Sequence, residues 1–247
     1  LGRTNPGLMG FDAVHYNLHK TFSQPHGGGG PGSGPIGVKQ HLADYLPAPM
    51  VECVEDDEGD VWYEWSDPPK SIGKVQQWLG NSGAVVRAWA FYRRYGKDLE
   101  KMSEHAVLNA NYMRYRMMNP SPEQAAKIPA MPTDGAPAEV VKHEFTLSLS
   151  AVKEKTGVTG KDIAKRLLDY GYMAPTLYFP MIVPECLMFE PTETESKEAI
   201  DKFADDFLAI LSEDPGLVMS APHDTPVRRV DEVWAARNLI LRHPADE

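Results

Sequence analysis

Seven glycines fall within the eleven residues from Gly27 to Gly37. Glycine loses more conformational freedom on folding than any other residue, so no helix or strand interior carries that density without a reason. One reason is close approach of bare backbone to a ligand or a partner chain, where exposed N–H groups can meet an anion. Pro31 and Pro35, with the apolar flanks Phe22 and Ile36, argue against a merely flexible linker. Just ahead of the glycines, Phe11-Asp12-Ala13-Val14-His15-Tyr16-Asn17-Leu18 alternates in character. It reads as a buried strand feeding a turn. The turn carries Lys20 between His19 and Thr21, so a strand delivers a lysine to the mouth of a backbone-exposing loop.

A free lysine, with a pKa of about 10.4, is protonated near neutral pH and is a poor nucleophile. Desolvation or neighbouring positive charge makes it reactive, and imine formation with a carbonyl is its main use then. Lys20, beside His15 and His19, is the candidate for that chemistry. Three other readings of the segment fail. Gly32-Ser33-Gly34-Pro35-Ile36-Gly37 matches G-x-G-x-x-G, and Asp56, Asp57 and Glu58 follow at dinucleotide-fingerprint distance. No strand leads into its first glycine, however, and Pro35 sits inside the turn. His15 and His19, four apart, would align on a helix but not on an alternating strand, and no H-E-x-x-H accompanies them, so zinc is not expected. Ser33 lacks the G-x-S-x-G elbow of a serine nucleophile.

The remainder of the composition narrows the setting. With 42% hydrophobic and 24% charged residues the chain is ordinarily globular, and a formal net charge of −10 disfavours a nucleic-acid backbone as partner. Cys53 and Cys186 stand far apart with no C-x-x-C pair, which fits two free thiols in a reducing cytoplasm. No apolar run approaches the roughly 20 residues that span a bilayer, and the opening residues carry no signal-peptide pattern. Leu1 in place of methionine, followed by the turn Thr4-Asn5-Pro6-Gly7, reads as a truncated start.

The chain divides into blocks. Gly73 to Met118 is expected to be mostly helical, with Val75, Leu79, Val86 and Trp89 on one helix and Leu99, Met102, Ala106, Asn109 and Met113 on a second. Residues 119–137, with five prolines, read as a connector. This gives 1–118 as one domain with its connecting helices, 119–137 as the linker, and 138–247 as a small α/β domain with a tail. In the last block His143–Leu149 reads as a strand. Thr159 and Asp162 cap a helix that Gly171 stops, and Thr176–Phe179 and Cys186–Phe189 read as short strands. Thr192 and Glu195 form an expected capping box before the amphipathic run from Ile200 to Leu211, whose Glu198, Asp201, Asp205 and Asp206 read as a solvated face. The apolar residues Val233, Trp234, Leu239 and Ile240 are expected to wrap back on the body, with Arg228 and Arg229 in salt bridges.

Asn17-Leu18-His19-Lys20-Thr21-Phe22, with Pro25-His26-Gly27-Gly28-Gly29-Gly30-Pro31-Gly32, resembles the cofactor-lysine segment of the glycine decarboxylases (P-proteins of the glycine cleavage system). The likeness continues in order through Gly34-Pro35-Ile36-Gly37-Val38, Lys70-Ser71-Ile72-Gly73, His143-Glu144-Phe145, Glu190-Pro191-Thr192-Glu193 and Thr225-Pro226-Val227-Arg228-Arg229. Tyr178-Phe179-Pro180 ahead of Glu190 is closer to the second subunit of the two-subunit form. The resemblance implies a type I pyridoxal-phosphate-dependent transferase fold: the end of the large domain plus a C-terminal small α/β domain. It also implies that Lys20 binds pyridoxal 5'-phosphate, that Asn17 and His19 approach the cofactor phosphate, and that glycine loses carbon dioxide. The aminomethyl group then passes to the lipoyl group of H-protein. The implied partners are the other decarboxylase subunit, lipoylated H-protein and glycine, in the cytoplasm. Asn5, Leu8 and Met173 depart from the family pattern. The aspartate facing the pyridine nitrogen and the ring-stacking residue are expected upstream of Leu1, so the isolated chain is expected to be inactive. Two further readings stay open: another type I pyridoxal-phosphate decarboxylase, and a non-catalytic interaction subunit.

Overall fold

The structure is a computed structural model and describes residues 1–22, 24, 32–75, 80–135 and 139–242. The glycines at 27–30, together with Pro25, His26, Pro31, Leu79 and Pro137, lie outside the described residues. The chain divides into two units, Leu1–Met102 and Ser103–Glu247.

In the first unit β1 (Ala13–His15) pairs antiparallel with β2 (Ile36–Val38), with His15 opposite Ile36 and Ala13 opposite Val38. The same register runs on at both ends. Lys39 N donates to Asp12 O, Tyr16 N to Pro35 O and Leu18 N to Ser33 O, at 2.9, 3.0 and 3.0 Å. The segment is therefore a ribbon, and it corrects the buried strand expected over 11–18: Phe11 is 58% exposed, and Ala13 and His15 are exposed too. A two-stranded ribbon has too little area to bury its own faces. Leu18 is buried in a core with Phe22, Ala88, Phe91 and Met102, and Tyr16 packs against it.

After the short helix α1 (Gln40–Ala43), β3 (Met50–Glu55) and β4 (Val61–Ser66) form a hairpin that the sequence reading did not anticipate. Its turn is acidic. Asp56 Oδ1 accepts from the backbone N–H of Glu58 and Asp60, and Gly59 takes φ 87°. Helix α2 (Ser82–Tyr95) starts well after Gly73, where Asn81 Oδ1 caps Ala84 N at 3.3 Å. Its buried face is Ala84, Ala88 and Phe91, while Val86 and Trp89, expected inside, are exposed. The small alanines set the phase, since they let the helix backbone approach its neighbours. Helix α3 (Leu99–Met118) follows a single 3₁₀ turn, and the division between units falls within it.

The proline-rich stretch is not a bare connector. Ser121 and Gln124 form a capping box on α4 (Pro122–Ala125), Ile128 and Pro132 are buried, and β5 (Thr133–Asp134) pairs with β6 (Phe145–Ser148). The prolines end a helix and enter a sheet edge, both positions that tolerate a missing N–H. Helices α5 (Ser150–Thr156) and α6 (Gly160–Asp169) follow. Then β7 (Thr176–Leu177) and β8 (Cys186–Phe189) complete an antiparallel sheet of order β5-β6-β8-β7. The Thr159–Asp162 capping box and the Gly171 stop, at φ 83°, are as expected.

Helix α7 (Lys197–Ile210) is capped by Ser196, whose Oγ accepts from Ala199 N at 3.2 Å. Thr192 and Glu195 do not cap it, because Thr192 sits at φ 63° in the turn before and its hydroxyl meets that of Thr194. The acidic face of α7 is only partly solvated: Arg116 pairs with Asp201 and Asp205, and Tyr172 with Asp206. Helix α8 (Pro215–Ser220) leads into the tail and α9 (Glu232–Arg237). Val233, Trp234, Leu239 and Ile240 remain exposed, against expectation. The tail is held instead by polar contacts, Arg229 to Asp162 at 2.7 Å and Lys161 to Glu232 at 2.8 Å. Cys53 is exposed, Cys186 is buried, and both are free thiols. Among the described residues no helix is long and apolar enough to cross a membrane.

Candidate active site

The ribbon joins the two motifs that the sequence set apart. In its register Asn17 lies opposite Gly34 and Leu18 opposite Ser33, so the N-x-H-K strand and the G-S-G-P strand are neighbours. In an extended chain residues i, i+2 and i+4 share a face. That rule puts His15, Asn17 and His19 together, and all three line one cleft of about 730 Å³. Ser33, Gly34 and Pro35 line it from the second strand, Leu46 to Met50 from the segment leading into β3, and Trp65 and Lys74 line it too. The volume lies within the range of small-molecule sites.

Lys20 has the opposite parity and does not line the cleft. A turn, Lys20 N to Asn17 O at 3.2 Å, leaves its side chain exposed at the next corner. That corner is pinned on both sides. Leu18 and Phe22 are buried, the Phe22 ring lies 6.0 Å from Phe91 and 5.4 Å from Tyr92, and Gln24 Nε2 donates to Ala84 O at 3.2 Å. Burial, and then the neighbouring Tyr16, push the Tyr92 hydroxyl above its ordinary pKa. The lysine thus sits exposed at an anchored corner.

Within the cleft His15 Nε2 lies 2.6 Å from Asn17 Oδ1. A side chain on Gly34 would overlap the His15 ring, and a Cβ on Gly32 would come 3.8 Å from His19 Nδ1. The donor set, two imidazoles, a carboxamide, a hydroxyl and the adjacent lysine amine, suits a phosphorylated aldehyde. Among the described residues no group of three or more His, Cys, Asp or Glu side chains could hold a metal ion. Sequence reasoning singled out Asn17, His19 and Lys20, of which the first two line the cleft and Lys20 is exposed at the corner beside it. It missed His15 as a lining residue, although the i, i+2 spacing was there to use. Trp65 and Lys74 had no signal, because the hairpin that presents Trp65 was unseen.

Residues 102–220 match the family described as "Glycine dehydrogenase, C-terminal domain". Two curated relatives are named "Probable glycine dehydrogenase (decarboxylating) subunit 2". The one from Methylococcus capsulatus is 49% identical over 98% of this chain and 48% of its own length. The one from Pyrococcus abyssi is 50% identical over 98% of this chain and 46% of its own. The chain spans about half the length of the curated relatives it matches. A crystal structure of glycine decarboxylase (P-protein) of the glycine cleavage system, in inhibitor-bound form, shares the fold with TM-score 0.66. It is 17% identical, covering 83% of this chain and 45% of that one.

Proposed function

This chain belongs to the glycine dehydrogenase (decarboxylating) family, and from that premise we propose that it carries the lysine side of a glycine-decarboxylating site that uses pyridoxal 5'-phosphate. The observation that carries this reading is the ribbon, which sets Asn17, His19, Ser33 and Gly34 around one cleft beside the Lys20 corner. When bound, pyridoxal phosphate supplies an electron sink for the pair left as carbon dioxide departs. The protein's own part is binding, orientation and proton handling. Lys20 Nζ would hold the aldehyde of the cofactor and, when not so engaged, would keep a proton at the mouth of the cleft. Asn17, His19 and Ser33 would donate hydrogen bonds to its phosphate. Ile36, Leu46, Val75 and Val85 give the cleft an apolar wall, which limits water around the developing charge.

The remaining parts come from elsewhere in the assembly: the group facing the pyridine nitrogen, the other subunit implied by the name "subunit 2", and H-protein, whose lipoyl disulfide accepts the aminomethyl group. In the complete subunit reconstituted with its partner, Lys20→Ala is expected to abolish glycine–bicarbonate exchange. Undiminished exchange would overturn the assignment. Cofactor absorbance that responds to another amino acid and not to glycine would instead favour a related decarboxylase.

A further inference from the structure

Gly34, His15 and Asn17 form a single mechanical unit. Asn17 stands opposite Gly34 across the ribbon, and His15 is diagonal to it. The His15 ring leans along the strand over Gly34, in space that any Cβ there would occupy. That lean brings His15 Nε2 to 2.6 Å from Asn17 Oδ1. A carboxamide oxygen only accepts, so His15 is the donor and its Nε2 carries the hydrogen. With Oδ1 taken, the Asn17 Nδ2 hydrogens are what the side chain offers to the cleft that both residues line.

We propose that His15 and Gly34 are positioning residues, which hold Asn17 with its amide nitrogen as a hydrogen-bond donor to an anionic phosphoryl group. The proposal rests on the reading of the cleft as a phosphate site. Without the imidazole, the Asn17 carboxamide can rotate and present its oxygen, which repels an anion. The glycine is required because the partner strand must be bare where the ring crosses it, so the second glycine of the G-S-G-P motif serves the histidine rather than the loop.

The test uses the complete subunit with its partner and two probes, inorganic phosphate and pyridoxal phosphate. Phosphate affinity is measured in every variant by titration calorimetry, its contact with Asn17 through the Asn17 side-chain amide resonances where that residue is present, and pyridoxal phosphate through its protein-bound absorbance. Phosphate is expected to shift the Asn17 amide in the parent protein. Its affinity is expected to fall about tenfold in His15→Ala and in Gly34→Ala, as for loss of one hydrogen bond to a charged group. His15→Gln, which keeps a donor, should stay within about threefold of the parent. In an Asn17→Ala background, His15→Ala should cost nothing further, a result that a merely structural role would not give. An Asn17 amide that phosphate does not shift, equal affinity in parent and His15→Ala, or additive losses in the double variant would each overturn the proposal. Lys20→Ala separates the two ideas. If it leaves the covalent absorbance unchanged, the lysine assignment fails, while the phosphate result stands on its own.

Discussion

In residues 103–247 the bulky side chains of Phe207, Leu147 and Leu167 are 0% exposed, whereas in residues 1–102 Trp65 and Trp89 are 66% and 63% exposed. The second unit folds a four-stranded sheet under amphipathic helices and closes one contiguous core. The first has two two-stranded ribbons and a cluster of five buried residues. Polar chemistry divides the same way. In the second unit Asp169, whose side chain is 1% exposed, accepts from the backbone of His223 and Asp224, from Arg166 and from His223 Nδ1. In the first, the histidines, carboxamide and lysine stand around an open cleft. The second unit buries its polar groups in its own architecture, whereas in the first His15, Asn17 and His19 face an open cleft.

The contrast can be broken by substitution. Phe207→Ala or Leu167→Ala should cost about 3–5 kcal/mol, because each leaves a cavity in a closed core. Trp89→Ala should change stability by no more than about 0.5 kcal/mol. Chemical denaturation followed by hydrogen exchange, which resolves the units, checks both. Equal effects would mean that the open face of the first unit is as well packed as the core of the second.

Acid should separate the units next. Burial alone would raise the Asp169 carboxyl, but the backbone N–H groups of Asp224 and His223, with Arg166, outweigh it and hold the group below its ordinary range. Glu213 is likewise lowered, against burial, by Arg166 and Tyr170. The Tyr170 hydroxyl is pushed up to about 12 by burial and by Glu213. Carboxyls lowered in the fold contribute stability above their unfolded pKa values of about 4, and that contribution is lost as pH falls through the lower folded values. The second unit should therefore hold its stability from neutral pH down to the unfolded carboxylate range and lose it below. Asp169→Asn should flatten that dependence and cost about 2 kcal/mol at neutral pH. Trp62, Trp65, Trp78 and Trp89 all lie in the first unit and Trp234 alone in the second, so fluorescence follows the first and hydrogen exchange the second.

The smallest effect concerns a single cap. Ser196→Ala should cost about 1 kcal/mol through the start of α7, while Thr192→Ala should cost less, since its hydroxyl caps no helix. The reverse order would restore the boundary that the sequence suggested.

That boundary shows what local patterns can carry. The capping box at Thr159 and Asp162 was legible because its donors and acceptors lie within four residues, and β8 because its apolar run is short and bounded. The Thr192-x-x-Glu195 pattern misled, because backbone conformation decides whether a hydroxyl faces a helix, and Thr192 is left-handed. The prolines of 119–137 suggested a connector, yet the burial of Ile128 and Pro132 depends on the sheet they meet. Asn17 and His19 were singled out by resemblance and Lys20 by its setting as well. Their cleft depends on pairing with residues 33–36 and on the hairpin that brings Trp65, and neither is a property of adjacent residues.

The central claim is that the amine at the Lys20 corner, rather than the lysine that lines the cleft, Lys74, holds the aldehyde. Borohydride reduction of the assembled enzyme with pyridoxal phosphate, followed by peptide mapping, tests it directly. The account predicts a pyridoxyl adduct on Lys20, lost when Lys20 is replaced by alanine. An adduct on Lys74 instead, which lines the same cleft, or an unmodified Lys20 in the saturated enzyme, would contradict it.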